Sequence, residues 1–136
     1  MFVIHKPKYN IWVEGRPQSF QKKRLVRYKE RIQQAARSIV PRVLRTPRID
    51  VEIWFHAYTS LRADVDNVIK PILDALKGIV YEDDRQVRSV RVVALPDGDA
   101  FGIESSSGDA LDRLMGEPDQ FLIKIYVGIT VPSSNL

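Results

Sequence analysis

The sequence predicts an α+β fold in a single domain, residues 1–136, because strand-like and helix-like patterns alternate along a chain long enough for one hydrophobic core. Residues 49–58 alternate apolar and polar side chains, the period of a half-buried strand. Residues 25–39 and 69–76 repeat apolar side chains at three- and four-residue steps, the period of one helix face. Segments rich in valine and isoleucine at 85–95 and 119–130 indicate further strands.

The segment YNIWVEG, residues 9–15, predicts a first strand that ends at Gly15 and is followed by the turn RPQS. Ser19 is a candidate N-cap, so the first helix should begin near Phe20 and stop before Pro41. Basic residues occupy most of its remaining surface. Its apolar face is predicted to contain Leu25, Tyr28, Ile32, Ala35 or Ala36, and Ile39.

The second strand is predicted in RIDVEIWFHAY, with Ile49, Val51, Ile53, Phe55 and Ala57 on one face. A second helix should follow, because Ile69, Ile72, Leu73 and Leu76 form an apolar stripe that Gly78 ends. Pro71 belongs to its first turn or just past it, so the helix should begin near Asp66 or Asn67.

RQVRSVRVVAL and DQFLIKIYVGIT predict the last two strands, the latter with one face formed by Phe121, Ile123, Ile125, Val127 and Ile129. Between them, residues 97–119 carry seven acids against Arg113 alone and are rich in Gly and Ser. We expect a long, flexible acidic loop there, with at most one short helix around Leu111 to Met115.

Composition narrows the class of protein. The absence of cysteine excludes a disulfide framework and thiolate zinc sites, and fits a cytoplasmic protein. No apolar run approaches the roughly 18 residues of a membrane span. The net charge is +4, and residues 16–48 carry eleven Lys or Arg against Glu30 alone. This run indicates a nucleic-acid partner, although a solvated basic face is the alternative.

Four aspartates flank the second helix: Asp64 and Asp66 before or at its start, Asp83 and Asp84 after it. Side chains two residues apart on an extended chain point to the same side, and the chain after the helix can return beside the strand that carried Asp64. Three or four carboxylates without Cys or clustered His are typical of a site for Mg²⁺ or Mn²⁺. Lys70, one helical turn along, would stabilise charge in a transition state.

Each acid also has a structural interpretation. Asp66 or Asn67 is an ordinary N-cap, Asp64 can pair with Arg62, and the segment YEDDR can be a solvated turn. Taken one by one, each of these interpretations is favoured over catalysis. The conjunction of four acids and a lysine within 21 residues, 64–84, favours a metal site.

The stretch DVDNVIKPILDALKGIVYEDDRQV resembles the signature of the RusA family of Holliday junction resolvases, which are crossover junction endodeoxyribonucleases. That signature is D-x-D-N-x-x-K, then a helix containing L-D-A-L, then D-D followed by a polar pair and Val. The segment VEGRPQSFQKKR resembles the family's opening strand and basic turn. The similarity runs from roughly Ile11 to Val127, and the insertion at 97–119 departs from it.

The resemblance implies a homodimeric, Mg²⁺-dependent endonuclease, with Mn²⁺ as a substitute, that binds four-way DNA junctions and nicks two strands symmetrically in recombination and repair. It implies a mixed sheet of about four to five strands with two main helices on one face. The implied site residues are the catalytic Asp64, Asp66, Lys70 and Asp84, the metal ligands Asp64, Asp66, Asp83 and Asp84, and, for DNA, Arg16, Lys22, Lys23, Arg24, Arg27 and Arg62.

Two other functions fit the same residues. One is a non-catalytic nucleic-acid-binding module whose acids are caps and turns. The other is a related nuclease acting on other branched or single-stranded DNA. Divalent-dependent cleavage of branched DNA separates the first from a resolvase, and a substrate panel separates the second.

Overall fold

The structure, a computed structural model, describes residues 6–15, 25–57, 65–96, 113–114 and 120–128. It contains a four-stranded mixed sheet and two main helices, which confirms the predicted α+β class. The elements in chain order are β1 (Tyr9–Glu14), α1 (Leu25–Ile39), β2 (Ile49–Ala57), α2 (Val65–Leu76), β3 (Val87–Pro96) and β4 (Gln120–Val127), with a short 3-10 helix at Asp84–Gln86.

The strand order in the sheet is β1-β4-β2-β3. Strand β4 runs antiparallel to both of its neighbours, whereas β2 and β3 are parallel and are joined through α2, which makes them a βαβ unit. Strands β1, β2 and β3 therefore all end at the side of the sheet where β4 begins. We call this side the C-terminal edge, defined by Glu14, Ala57, Pro96 and Gln120, and the opposite side the N-terminal edge.

The main core lies on the face of the sheet that both helices cover. Tyr28, Ile32 and Ala36 of α1 and Ile72 and Leu76 of α2 are buried there. They pack with alternate strand residues, as the predicted periodicities require. The strand members are Ile11 and Val13 of β1, Ile49, Val51, Ile53 and Phe55 of β2, and Phe121, Ile123 and Ile125 of β4.

The opposite face carries a second, smaller apolar cluster of Trp54, Leu95, Leu114 and Leu122. Leu114 comes from the helical pair 113–114, which agrees with a short helix around Leu111 to Met115. Because this segment covers the sheet, Trp54 is only 8% exposed, and β2 is buried on both faces at that position. Lys124 is also buried, its Nζ 4.5 Å from the centre of the Trp54 ring, and burial lowers the pKa of Lys124.

The end of α1 differs from the expectation in one place. Ile39 is 46% exposed, because the Val40 N–H donates to the Ala36 carbonyl and Val40 takes the inward position instead. Helix α2 begins at Val65, close to the predicted start, and Pro71 lies just past its first turn, where it removes a hydrogen bond to the Asn67 carbonyl.

Several predictions fall outside the described residues. These are the helix start near Ser19 and Phe20, the strand residue Ile129, and the loop at 97–119 apart from Arg113 and Leu114. In the part of the chain that the structure describes, neither helix has the length and apolar character needed to cross a membrane.

Candidate active site

The segment after α2, residues 82–86, is a rigid turn that we call the acid turn. Asp83 is the N-cap of the 3-10 helix, and its Oδ1 accepts a hydrogen bond of 2.9 Å from the Arg85 N–H. Mainly because of this backbone hydrogen bond, the pKa of Asp83 lies below its usual value. The Gln86 side chain completes a capping box by accepting from the Asp83 N–H at 3.0 Å.

Gln86 also fixes the acid turn to the rest of the fold. Its Oε1 accepts a further hydrogen bond from the Glu82 N–H at 2.8 Å. Its Nε2 donates to the Leu44 carbonyl at 2.8 Å and to the Thr46 carbonyl at 2.9 Å. The sequence analysis did not identify Gln86 as a functional residue, although Arg85 and Gln86 are the polar pair that follows the two aspartates in the family signature. A glutamine three residues after an N-cap aspartate is the signal that would have found it.

A Gln86→Ala variant should lower the free energy of unfolding by about 2 kcal/mol, because four hydrogen bonds at a half-buried site are lost. Chemical denaturation measures this. Gln86→Glu is the matched control, since it keeps the acceptor for Glu82 and Asp83 but places a second acceptor oxygen against the Leu44 and Thr46 carbonyls. Both variants should be less stable than the wild type, and equal stability of all three proteins would show that the side chain does not hold the turn.

Of the neighbouring acids Asp83 and Asp84, it is Asp84 whose carboxylate is exposed to solvent and takes no part in capping the turn. Its side chain is 64% exposed, and its ion pair among the described residues is with Lys77, Oδ2 to Nζ at 3.7 Å. Tyr81, three residues before Asp84, is fully buried, and its hydroxyl donates a hydrogen bond to the Leu73 carbonyl at 2.5 Å. Burial, followed by the negative charges of Asp84 and Asp74, raises the pKa of Tyr81, so its hydroxyl stays a donor. Asp84 therefore has oxygen atoms available to a cation, whereas Asp83 uses one to cap the turn.

Asp66 of the motif lies at the far end of α2. It is in the first turn of this helix, and Lys70, one turn later, is exposed. Asp64 and Arg62 lie outside the described residues. Ten residues separate Asp66 from Leu76, which is about 15 Å along a helix axis. The acid turn follows the other end of α2, so within one chain the helix separates Asp66 from Asp84.

This separation has a topological cause. The chain does return beside β2, as expected, but β3 runs parallel to it and therefore starts at the N-terminal edge, next to Ile49. The acid turn precedes β3 at that edge, whereas Asp66 follows the end of β2 at the C-terminal edge. Consistently, no group of three metal-ligating side chains occurs within the described ranges.

Of the predicted DNA-binding residues, the structure describes Arg27, which is exposed on α1. Arg16, Lys22, Lys23 and Arg24 lie outside the described residues, between Gly15 and α1 in the sequence. The basic segment follows β1 in the sequence, and the segment that carries Asp64 follows β2. Both strands end at the same edge of the sheet.

Comparison with known proteins supports the resemblance. The family model described as Endodeoxyribonuclease RusA matches residues 4–104, which is most of the chain and includes both pairs of acids and Lys70. A search of curated proteins finds no match to this sequence.

Proposed function

The chain belongs to the RusA family of endodeoxyribonucleases, and from this premise we propose that it resolves Holliday junctions by divalent-metal-dependent, paired nicking of two strands. The observation that carries the proposal is Asp84, an exposed carboxylate on a turn fixed by Gln86, in a chain that also has the D-x-D-N-x-x-K motif at the start of α2. Family membership as an endodeoxyribonuclease sets aside the non-catalytic binding module.

The donor set fits Mg²⁺, with Mn²⁺ as a substitute, because the residues concerned offer carboxylate oxygens and the chain has no cysteine. We assign Asp64, Asp66 and Asp84 as the ligands. The N-cap role of Asp83 supports a positioning function for this residue, with ligation as its alternative. When bound, such an ion would activate water and neutralise the phosphodiester. Lys70 would then stabilise the negative charge that develops on the phosphate in the transition state.

The separation of the acids supports a homodimer. Asp66 lies in the first turn of α2 and Asp84 lies beyond its last turn, so a site that uses both would draw them from two chains. Strand β3 pairs with β2 on one side, and no described strand pairs with its other side. Antiparallel pairing of β3 with its copy across a two-fold axis would bring the acid turn of one subunit to the C-terminal edge of the other, the edge that leads to Asp64 and Asp66. Two equivalent sites would result, as symmetric nicking requires.

Cleavage of a cruciform-bearing plasmid tests the function. We expect linear product in Mg²⁺ or Mn²⁺, because both strands are cut within one binding event, and no product with EDTA. A panel of four-way junctions, three-way junctions, flaps and single strands gives the substrate preference. Faster cleavage of flaps or single strands than of four-way junctions would replace the resolvase proposal with the related-nuclease alternative, and metal-independent cleavage would contradict the ligand assignment.

A further inference from the structure

A cleft of about 640 Å³ opens at the C-terminal edge, where β1 ends and β4 begins. It is lined by Trp12, Val13, Glu14, Gly15, Arg31, Arg113 and Gln120. Arg31 comes from α1 on the helical face, and Arg113 comes from the short helical segment that covers the opposite face. Two guanidinium groups from the two sides of the sheet therefore line one cleft, against the single carboxylate of Glu14.

Arg113 is held in place from two directions. Its guanidinium carbon lies 4.0 Å from the centre of the Trp12 ring, which is the distance of a stacked cation–π contact. Its backbone carbonyl accepts a hydrogen bond of 2.9 Å from Nε2 of Gln120, and Gln120 itself is only 5% exposed. Stacking fixes the plane of a guanidinium and leaves its N–H edge available, the geometry with which arginine binds phosphate in a bidentate manner.

Arg31 is held in a similar way. Its Nη1 donates to the Glu14 carbonyl at 3.2 Å, which is one contact for a group with five N–H donors. Gly15, next to this carbonyl, has a positive φ of 98°, and a Cβ built there would lie 2.5 Å from Nη1 of Arg31. Glycine at this position allows the strand to turn away at the floor of the cleft and the guanidinium to approach the backbone.

We propose that this cleft binds a backbone phosphate of DNA between Arg31 and Arg113, outside the catalytic site. The inference rests on the proposed function for its ligand, since it assumes a DNA substrate. A phosphate fits because two preoriented guanidinium groups present N–H donors to one polar cleft, whereas a base would find the Trp12 ring covered by Arg113.

The position of the cleft agrees with this role. It lies at the ends of β1 and β4, and β2 is the next strand beyond β4 in the sheet. Two strand spacings, about 10 Å, separate the end of β1 from the end of β2. The cleft would therefore hold a DNA strand near the end of β2, the strand that precedes Asp64 and Asp66 in the sequence, and it would position the substrate without contacting the reacting atoms.

The test measures the affinity of Arg113→Gln and Arg31→Gln for a four-way junction and for plain duplex DNA over a series of salt concentrations, without divalent metal. Each variant should bind both DNAs about tenfold more weakly. The slope of log affinity against log salt should also fall in magnitude by about 0.9 for the lost contact. Arg113→Lys should keep most of the slope but bind less tightly, because it retains charge and loses the stacked fork.

Arg37→Gln is the matched control, since Arg37 is exposed on the same helix as Arg31 and does not line the cleft. Thermal melts of all variants establish that each is folded. If Arg31→Gln and Arg113→Gln bind with the affinity and slope of Arg37→Gln, the phosphate site is overturned. If the wild type binds duplex and junction equally and cuts neither, the resolvase proposal fails, while a loss of duplex binding confined to the two cleft variants still supports the phosphate site.

Discussion

An Asp84→Asn variant should bind four-way junctions at least as tightly as the wild type and cut them more than about 100-fold more slowly. Loss of a residue that only supports a metal ligand typically costs 10- to 100-fold, so loss of a ligand should exceed that range. Binding should persist or tighten because the change removes a negative charge near phosphate. The Asp84 side chain is 64% exposed, so the substitution should leave the fold intact. Single-turnover cleavage and band-shift titration measure the two effects.

Asp83→Asn is the control for this prediction. Asparagine is as good an N-cap as aspartate, so the acid turn should keep its shape and most of its activity. Asp83 caps the turn through Oδ1, and this contact is the reason for distinguishing the two neighbouring acids. Equal loss of cleavage in both variants would show that Asp83 is also a ligand. Full activity of Asp84→Asn would remove Asp84 from the site.

Mixing two inactive proteins, Asp66→Asn and Asp84→Asn, should restore cleavage. If each site combines Asp66 of one subunit with Asp84 of the other, a mixed dimer has one site with both changes and one site with neither. If each site lies within one chain, every site in the mixture carries one change and none can cut. Subunit exchange by refolding an equal mixture, followed by assay on a cruciform plasmid, should therefore give nicked circles from a preparation whose two components are inactive alone.

The controls for mixing are equally direct. A doubly substituted chain, Asp66→Asn with Asp84→Asn, mixed with either single variant should remain inactive, because no site then has both acids. A mixture of wild type and the doubly substituted chain should also be inactive in its mixed dimers, since each shared site there lacks one acid. Scattering measurements establish the dimer. A monomer at assay concentrations that still gives linear product would contradict the shared-site arrangement.

The local sequence pattern predicted most of the helices and strands, but not which of them lie next to each other in the fold. The bounds of β2 and the apolar stripe of α2 follow from periodicities of two and 3.6 residues, which are properties of short windows. The distance between Asp66 and Asp84 depends on the direction of β3 relative to β2, a pairing between distant segments that no window contains. The burial of Trp54 depends in the same way on Leu114, sixty residues later.

For the candidate site, the sequence indicated the residue types, and the structure distinguishes between neighbours. Asp83 and Asp84 are equivalent in a sequence of two aspartates, and only the hydrogen bond from the Arg85 N–H separates a cap from an open carboxylate. The cleft between Arg31 and Arg113 has no sequence signature, because its two arginines come from opposite faces of the sheet and meet only at its edge. The single-domain organisation, the roles of Asp64, Asp66, Lys70, Asp83 and Asp84, and the DNA-binding residues stay predictions.

The hydrogen bonds from Gln86 to Leu44 and Thr46 would also lower the free-energy cost of binding the proposed ion. Fixing the backbone of one residue costs about 1–2 kcal/mol of conformational entropy, and in residues 82–86 the fold has met this cost before any ion arrives. Little of the binding free energy would then be spent on ordering residues 82–86, and the affinity for the ion would depend mainly on charge and coordination. A Gln86→Ala chain, which keeps every proposed ligand but loses the two carbonyl anchors, would have to order residues 82–86 as the ion bound, and it would hold the same ion more weakly.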